Sequence, residues 1–111
     1  MDTQNLTQEI AQLHAELCSA LAETTRLFIL YELADKPCNV TEMTQKLELP
    51  QPTVSRHLKV LRDRGLVTAS RQGMNVQYSL ADHRIVDALD ILRAVMRDRI
   101  NYRASLIVEN E

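Results

Sequence analysis

The feature that most constrains this chain is a break between two short helical periods. Val40, Met43, Thr44 and Leu47 sit at helical spacing, then Glu48-Leu49-Pro50 interrupts, and a second amphipathic stretch runs from about Gln51 to Arg64. Thr41 reads as the N-cap of the first stretch. Pro52 falls in the first turn of the second, where its missing N–H costs little, and Gly65 follows the last turn, the position at which glycine ends helices. Two short helices joined by a tight turn form a helix-turn-helix unit.

The flanking segments place this unit in a larger order. Leu6, Ile10, Leu13, Leu17 and Leu21 form one apolar stripe along a first helix of about residues 4–21, with Thr3 as its cap. A second helix, about 23–33, carries Leu27, Phe28, Leu30, Tyr31 and Ala34 over a wide face and reads as central to the core, ending at Asp35-Lys36-Pro37. Leu66 to Ser70 and Val76 to Leu80 are short β-type runs joined by a loop at 71–75 that contains Gly73. A last helix starts near Asp82 and ends near Ala104, with Ile85, Val86, Leu89, Leu92, Val95, Met96 and Ile100 as its stripe and a frayed tail after it. The order α-α-α-α-β-β-α is a mainly helical winged helix-turn-helix with a small β-hairpin. At 111 residues it forms one domain.

Charge is distributed unevenly. The whole chain carries a formal −2, which argues against a generic nucleic-acid binder. Residues 51–77, however, hold Arg56, Lys59, Arg62, Arg64 and Arg71 against Asp63 alone, so the acidic excess lies elsewhere. One basic segment on an acidic body is the footprint of a focused DNA contact, although most charge clusters are simply solvated faces.

Projection of Gln51 to Leu61 at helical pitch separates the two readings. Val54, Leu58 and Leu61 fall on one face and pack inward, while Arg56, Lys59 and Asp63 lie opposite. Thr53 and Ser55 flank them, and Gln51 stands at the N-terminal end. A recognition helix needs this layout, with polar N-terminal residues for base edges in the major groove and cations for phosphate. Gln reads adenine bidentately and Arg reads guanine. His57 projects toward the apolar face and reads as a hydrogen-bonded, partly buried histidine rather than a base contact. In the hairpin, Arg71 and Gln72 are the wing's candidates for the minor groove or backbone.

Leu49 to Leu61, followed by Gly65-Leu66-Val67, resembles the recognition-helix signature of the ArsR/SmtB family of bacterial repressors, and Leu21 to Leu27 resembles that family's second-helix opening. The likeness covers roughly residues 15–98. It implies a homodimer joined through its terminal helices, an operator of two-fold symmetry, and repression relieved by a metal ion, metalloid or thiol-reactive species. It also implies Gln51, Thr53, Ser55 and Arg56 as the major-groove residues. Pro50 departs from the family pattern, where many members carry a serine cap. Independently, the long apolar stripes of the first and last helices exceed what one small core needs. A dimer follows unless the two stripes pack on each other within one chain.

The family's common metal sites do not transfer. On the last helix Asp82 matches, but Arg84, Val95 and Asp98 stand at the other ligand positions, and valine cannot ligate. In the third helix Asn39-Val40-Thr41 stands where the family has Cys-x-Cys. Cys18 and Cys38 remain as candidate sensor thiols that form a disulfide or polysulfide bridge, or bind a thiophilic metal ion or metalloid. His14, four residues before Cys18, joins them as a candidate metal ligand. Against this, a free cysteine commonly serves as a small hydrophobe. Cys18, beside Leu17 and Leu21, suits that packing role, whereas Cys38, next to Pro37, reads as the more exposed thiol.

No required cofactor and no enzyme motif is expected: the sequence has no Gly-rich phosphate loop, nucleophile elbow or His-Glu-x-x-His. Met1 to Ile10 lacks a basic n-region and an apolar h-region, and the longest apolar run, Leu27 to Tyr31, is far too short to span a bilayer. The expectation is a cytoplasmic protein with reduced thiols and no membrane partner. The competing reading is a winged-helix protein-interaction module whose basic face binds an acidic partner without reading bases.

Overall fold

The structure, a computed structural model, describes residues 3–109, with side chains over 5–107. Helix α1 starts as Thr3–Leu13, passes through a π-helical turn at His14–Cys18 and ends as α-helix at Ser19–Leu21. Then come α2 (Thr24–Asp35), α3 (Val40–Leu47), α4 (Gln51–Asp63), β1 (Val67–Gln72), β2 (Asn75–Leu80) and α5 (Arg84–Glu109). The mainly helical order with one antiparallel hairpin is the one read from the sequence.

The core gathers around α2. Ile29, Leu30 and Leu33 are buried there against Met43 of α3, Val54, Leu58 and Leu61 of α4, and Leu66 and Val67 at the entrance to the hairpin. Each such side chain stabilises the fold by about 1.5–3 kcal/mol relative to exposure. Phe28 departs from expectation: it is 59% exposed and lies beside Thr24, Leu27, Tyr31 and Arg93 at the α2–α5 groove. Helix α5 is docked by the Tyr31 hydroxyl, which donates to Asp90 Oδ1 at 2.7 Å, and by the Arg93 guanidinium 5.3 Å from the Tyr31 ring centre.

Helix ends show why these segments stop where they do. The cap of α3 is Asn39, not Thr41. Asn39 Oδ1 accepts from the Glu42 N–H at 2.8 Å and Glu42 Oε1 accepts from the Asn39 N–H at 3.1 Å. This reciprocal capping box satisfies two N-terminal donors at once, which Thr41 inside the first turn cannot do. Helix α3 ends with Glu48 at φ +55, and the Leu49 N–H returns to the Thr44 carbonyl at 3.3 Å. Helix α4 ends with Gly65 at φ +76, and Leu66 and Gly65 donate to the Leu61 and Arg62 carbonyls at 2.9 and 3.0 Å. Both are left-handed C-terminal closures of the Schellman type, one with glycine and one without.

The hairpin is longer than its sequence pattern. Its register runs from Val67↔Leu80 to Gln72↔Asn75, so Arg71 and Gln72 belong to β1, and the loop shrinks to Gly73-Met74. Backbone pairing carries the ladder past the alternating residues. Cys38 adds a third piece of sheet: its N–H donates to the Tyr78 carbonyl at 3.1 Å and its carbonyl accepts from the Tyr78 N–H at 2.8 Å. Helix α5 continues to Glu109, so 105–109 are helical rather than frayed, while 110–111 lie outside the described residues. The side chain of Thr3, expected as a cap, also lies outside them.

The outer parts of the terminal helices stand off this body. Every side chain from Asn5 to Glu16 and from Val95 to Ile107 is exposed. The radius of gyration is 17.7 Å, against about 13 Å for a compact chain of this length. The α1 and α5 stripes therefore do not cover each other within one chain. Among the described residues no helix is long and apolar enough to cross a membrane.

Candidate nucleic-acid interface

Helix α4 divides as its pattern requires. Val54, His57, Leu58 and Leu61 are buried, while Gln51, Arg56, Lys59 and Arg62 are exposed and Thr53 and Ser55 are half-buried at the edge of that outer face. The helix begins without a side-chain cap. Pro50 precedes it in extended conformation, and its carbonyl accepts from the Thr53 and Val54 N–H groups at 3.1 and 3.2 Å. Pro50 fixes the entry angle instead of a serine side chain.

Cations on this face differ in freedom. Arg56 and Arg62 have no ion-pair partner among the described residues. Lys59 is held by Asp63 at 3.1 Å, one turn along α4, in a surface pair worth about 0.3–0.5 kcal/mol that a phosphate can displace. Arg71 and Gln72 are exposed at the outer end of β1, with Arg71 Nε 3.5 Å from the Gly73 carbonyl. Arg64, counted in the basic segment, points elsewhere: it donates to the Ala15 carbonyl on α1 and to Ser19 Oγ, the latter at 3.2 Å.

Arg64 and Arg26 together clamp the last turns of α1 to the helix-turn-helix. The π turn shifts the Ser19 N–H to the His14 carbonyl, leaving the Ala15 carbonyl to Arg64 and to Ser19 Oγ at 2.5 Å. Arg26 Nε donates to the Ala20 carbonyl at 2.6 Å, Nη2 to the Ser19 carbonyl at 3.4 Å, and Nη1 lies 3.2 Å from His57 Nδ1. His57 is thus the hydrogen-bonded, buried histidine expected, 7% exposed. Burial pushes its pKa below the ordinary histidine value, Arg26 and Arg56 add to the fall, and Glu23 opposes it. Helical periodicity gives no sign of these arginine bonds, because their partners are backbone carbonyls 6 and 49 residues away.

The two thiols exchange the environments expected of them. Cys38 is fully buried, because the bridge to Tyr78 draws it into the core; its Sγ lies 3.4 Å from Lys46 Nζ. Cys18, at the end of the π turn, is exposed in a groove lined by Leu21, Leu27, Tyr31, Leu92, Arg93 and Met96. His14, Cys18 and Cys38 are not brought together: among the described residues no three His, Cys, Asp or Glu side chains form a group able to hold a metal. Asp82 is engaged as well. It accepts from the Arg84 N–H and pairs with its guanidinium at 2.6 Å, which pulls its carboxyl down to about 2.

Comparisons with known proteins agree with this geometry. Residues 23–69 match the model of the bacterial regulatory protein arsR family. The chain is 42% identical over 78 residues to the HTH-type transcriptional repressor SmtB of Mycobacterium tuberculosis, covering 70% of this chain and 58% of that one. It thus spans less than two thirds of that relative's length. It is 40% identical over 83 residues to the HTH-type transcriptional regulator NmtR of the same organism, covering 75% of this chain and 68% of NmtR. The crystal structure of M. tuberculosis Rv0081 superposes with a TM-score of 0.77 at 31% identity, over 86% of this chain and 96% of that one. With five helices, a hairpin wing and these relatives, the chain belongs to the arsR family of bacterial regulatory proteins.

Proposed function

We propose that this protein is a cytoplasmic, homodimeric repressor that binds operator DNA of two-fold symmetry and is released by a chemical signal. The observation that carries the DNA reading is the outer face of α4: Gln51, Arg56, Lys59 and Arg62 exposed, Thr53 and Ser55 at the edge, and the opposite face fully spent on the core. Such a helix turns its base-reading and phosphate-binding groups outward, Lys59 in a displaceable pair with Asp63, and has its orientation fixed by Val54, Leu58 and Leu61. Arg71 and Gln72 extend the same interface through the wing. Membership in a family of regulators supports a non-enzymatic role.

Dimerisation is supported by the uncovered stripes. Leu13 of α1 and Val95, Met96 and Ile100 of α5 are each about half exposed, more apolar surface than a monomer of this size usually leaves in water. A second copy that buries them also sets two α4 helices at the spacing of successive major grooves.

For the signal, our reading centres on the thiols. Cys18, exposed in its groove, is the accessible partner for a thiol-reactive species, a thiophilic metal ion or a metalloid. A Cys18–Cys38 bridge requires the buried Cys38 to leave its place beside Tyr78.

Fluorescence anisotropy on the duplex upstream of its own coding sequence tests the DNA reading, at one stated salt concentration and against a scrambled duplex. Arg56→Ala weakens binding to the specific duplex more than to the scrambled one. Equal loss on both counts against base readout and favours a protein-interaction module with an acidic partner. Treatment with a thiol oxidant, reversed by reductant, tests the signal.

A further inference from the structure

The wing carries a large apolar side chain that neither the fold nor the DNA reading of Arg71 and Gln72 uses. Met74 is 99% exposed. Every other exposed large hydrophobic residue among those described lies on α1, α2 or α5. Met74 alone stands on the hairpin, far from those faces in the chain and at the end of a strand pair whose β1 residues are all exposed beyond Val67.

Its position is fixed although its side chain is free. The Gln72↔Asn75 pair closes the ladder, leaving Gly73 and Met74 as the whole turn. Gly73 has φ +64 and Met74 is not in the left-handed region, the signature of a type II′ turn, whose twist matches the flanking strands. Met74 therefore sits at the outermost corner of a two-residue hairpin turn. The Arg71 side chain folds toward the same turn, with Nε 3.5 Å from the Gly73 carbonyl. The tip thus combines one flexible apolar side chain with one cation and no acid.

We propose that Met74 is a minor-groove wedge, inserted at a base step beside the major groove that α4 occupies, with Arg71 on the adjacent phosphates. This rests on the DNA-binding reading given above. A minor groove offers narrow apolar walls of sugar edges between two phosphate rows. Proteins that enter it often press an apolar side chain against a base step, with cations alongside. Methionine suits that role because three rotatable bonds and a polarisable sulfur let it fit an irregular gap. The partner is duplex DNA rather than a protein pocket, because the same tip carries Arg71 and the same rigid body carries the exposed cations of α4.

The test uses the full chain and its own upstream duplex, with 2-aminopurine placed in turn at each adenine of the bound region. Wild type brightens the probe at one step in each half-site, Met74→Leu retains the signal and Met74→Ala loses it. Met74→Ala also weakens binding about fivefold, by the same factor at about 50 and about 200 mM salt, because no charge is removed. Its thermal unfolding is unchanged, since the side chain supports nothing in the fold. If wild type binds but no probe brightens, or Met74→Ala binds and brightens as wild type does, the wedge is overturned while the DNA reading stands. If affinity falls without any change in the probe, Met74 is a groove contact and not a wedge. If wild type fails to prefer its own duplex over a scrambled one, the DNA reading fails and the wedge with it.

Discussion

The guanidinium of Arg26 and the imidazole of His57 meet at 3.2 Å, Nη1 to Nδ1. Arginine only donates, so Nδ1 must accept and the ring is neutral with its proton on Nε2. Protonation of Nδ1 would set two cations face to face inside the α2–α4 contact. The folded pKa is therefore held below the ordinary value of 6.5 by burial first, then by Arg26 and Arg56, against Glu23. A depressed histidine makes the unfolded chain bind more protons than the folded one between the two values. Stability is accordingly full above about pH 6.5 and falls as pH drops from there toward the folded value. Urea midpoints measured from pH 7.5 downward check this, with His57→Gln flattening that part of the profile. A wild-type midpoint that holds constant from 7 to 5 would refute the assignment.

Arg64 ties the end of α4 to the π turn of α1 through the Ala15 carbonyl and Ser19 Oγ. Arg64→Ala leaves those acceptors to water and costs about 1 kcal/mol. Hydrogen exchange should quicken at residues 14–21 while the core amides of α2 keep their protection. Unchanged exchange at 14–21 would show that the tether does not hold the turn.

Glu48 occupies a left-handed conformation, φ +55, that a side chain normally avoids. Glycine removes the steric penalty at that corner, so Glu48→Gly stabilises the protein, or at worst leaves it unchanged, with a gain of up to about 1 kcal/mol. Chemical denaturation reads the difference. A destabilised variant would mean that the Glu48 side chain itself contributes to the helix-turn-helix corner.

The two cysteines should react in a fixed order. Cys18 is exposed and Cys38 fully buried, so a thiol reagent added to native protein modifies Cys18 first and Cys38 only on opening of the core. Mass spectrometry of the Cys18→Ala and Cys38→Ala variants identifies each site. Faster labelling at Cys38 would contradict the buried bridge to Tyr78.

A charge placed on the uncovered stripe should report on association. Ile100 is 56% exposed and stands on the free half of α5. Ile100→Glu leaves the monomer's core intact but adds like charges at the proposed contact between two copies. Sedimentation should shift toward monomer with little change in helix content. A dimer that persists would move the interface away from this half of α5.

Local patterns were legible where one helix met one core. The inward face of α4, the Gly65 stop and the hairpin could all be read, because each depends on residues within a few turns of one another. Distant partners were not legible. Nothing near Cys38 announces that Tyr78 will pair with its backbone, so its burial was missed. Nothing near Ala15 announces that an arginine from the end of α4 will take its carbonyl. Phe28 misled in the opposite sense, since apolar identity alone does not tell a core position from one at the rim of an uncovered groove. For the outer face of α4, the pattern gave Gln51, Thr53, Ser55, Arg56 and Lys59 together, whereas the bonds of Arg64 to Ala15 and Ser19, which take it out of the basic segment's free charge, are visible only in the fold.

The π turn at His14–Cys18 acts as a rotational spacer. Hydrogen bonding to the fifth residue instead of the fourth adds one residue to a single turn, and one residue is worth about 100° of helix phase. The arm bearing Leu6, Ile10 and Leu13 is thereby turned relative to Leu17 and Leu21, which face the body. Deleting a single residue there shortens α1 by only about 1.5 Å yet swings the whole arm through more than a quarter of a revolution. The orientation of the arm relative to the body is therefore set by a count of residues in five positions, and insertions or deletions in that segment would be far less tolerated than substitutions.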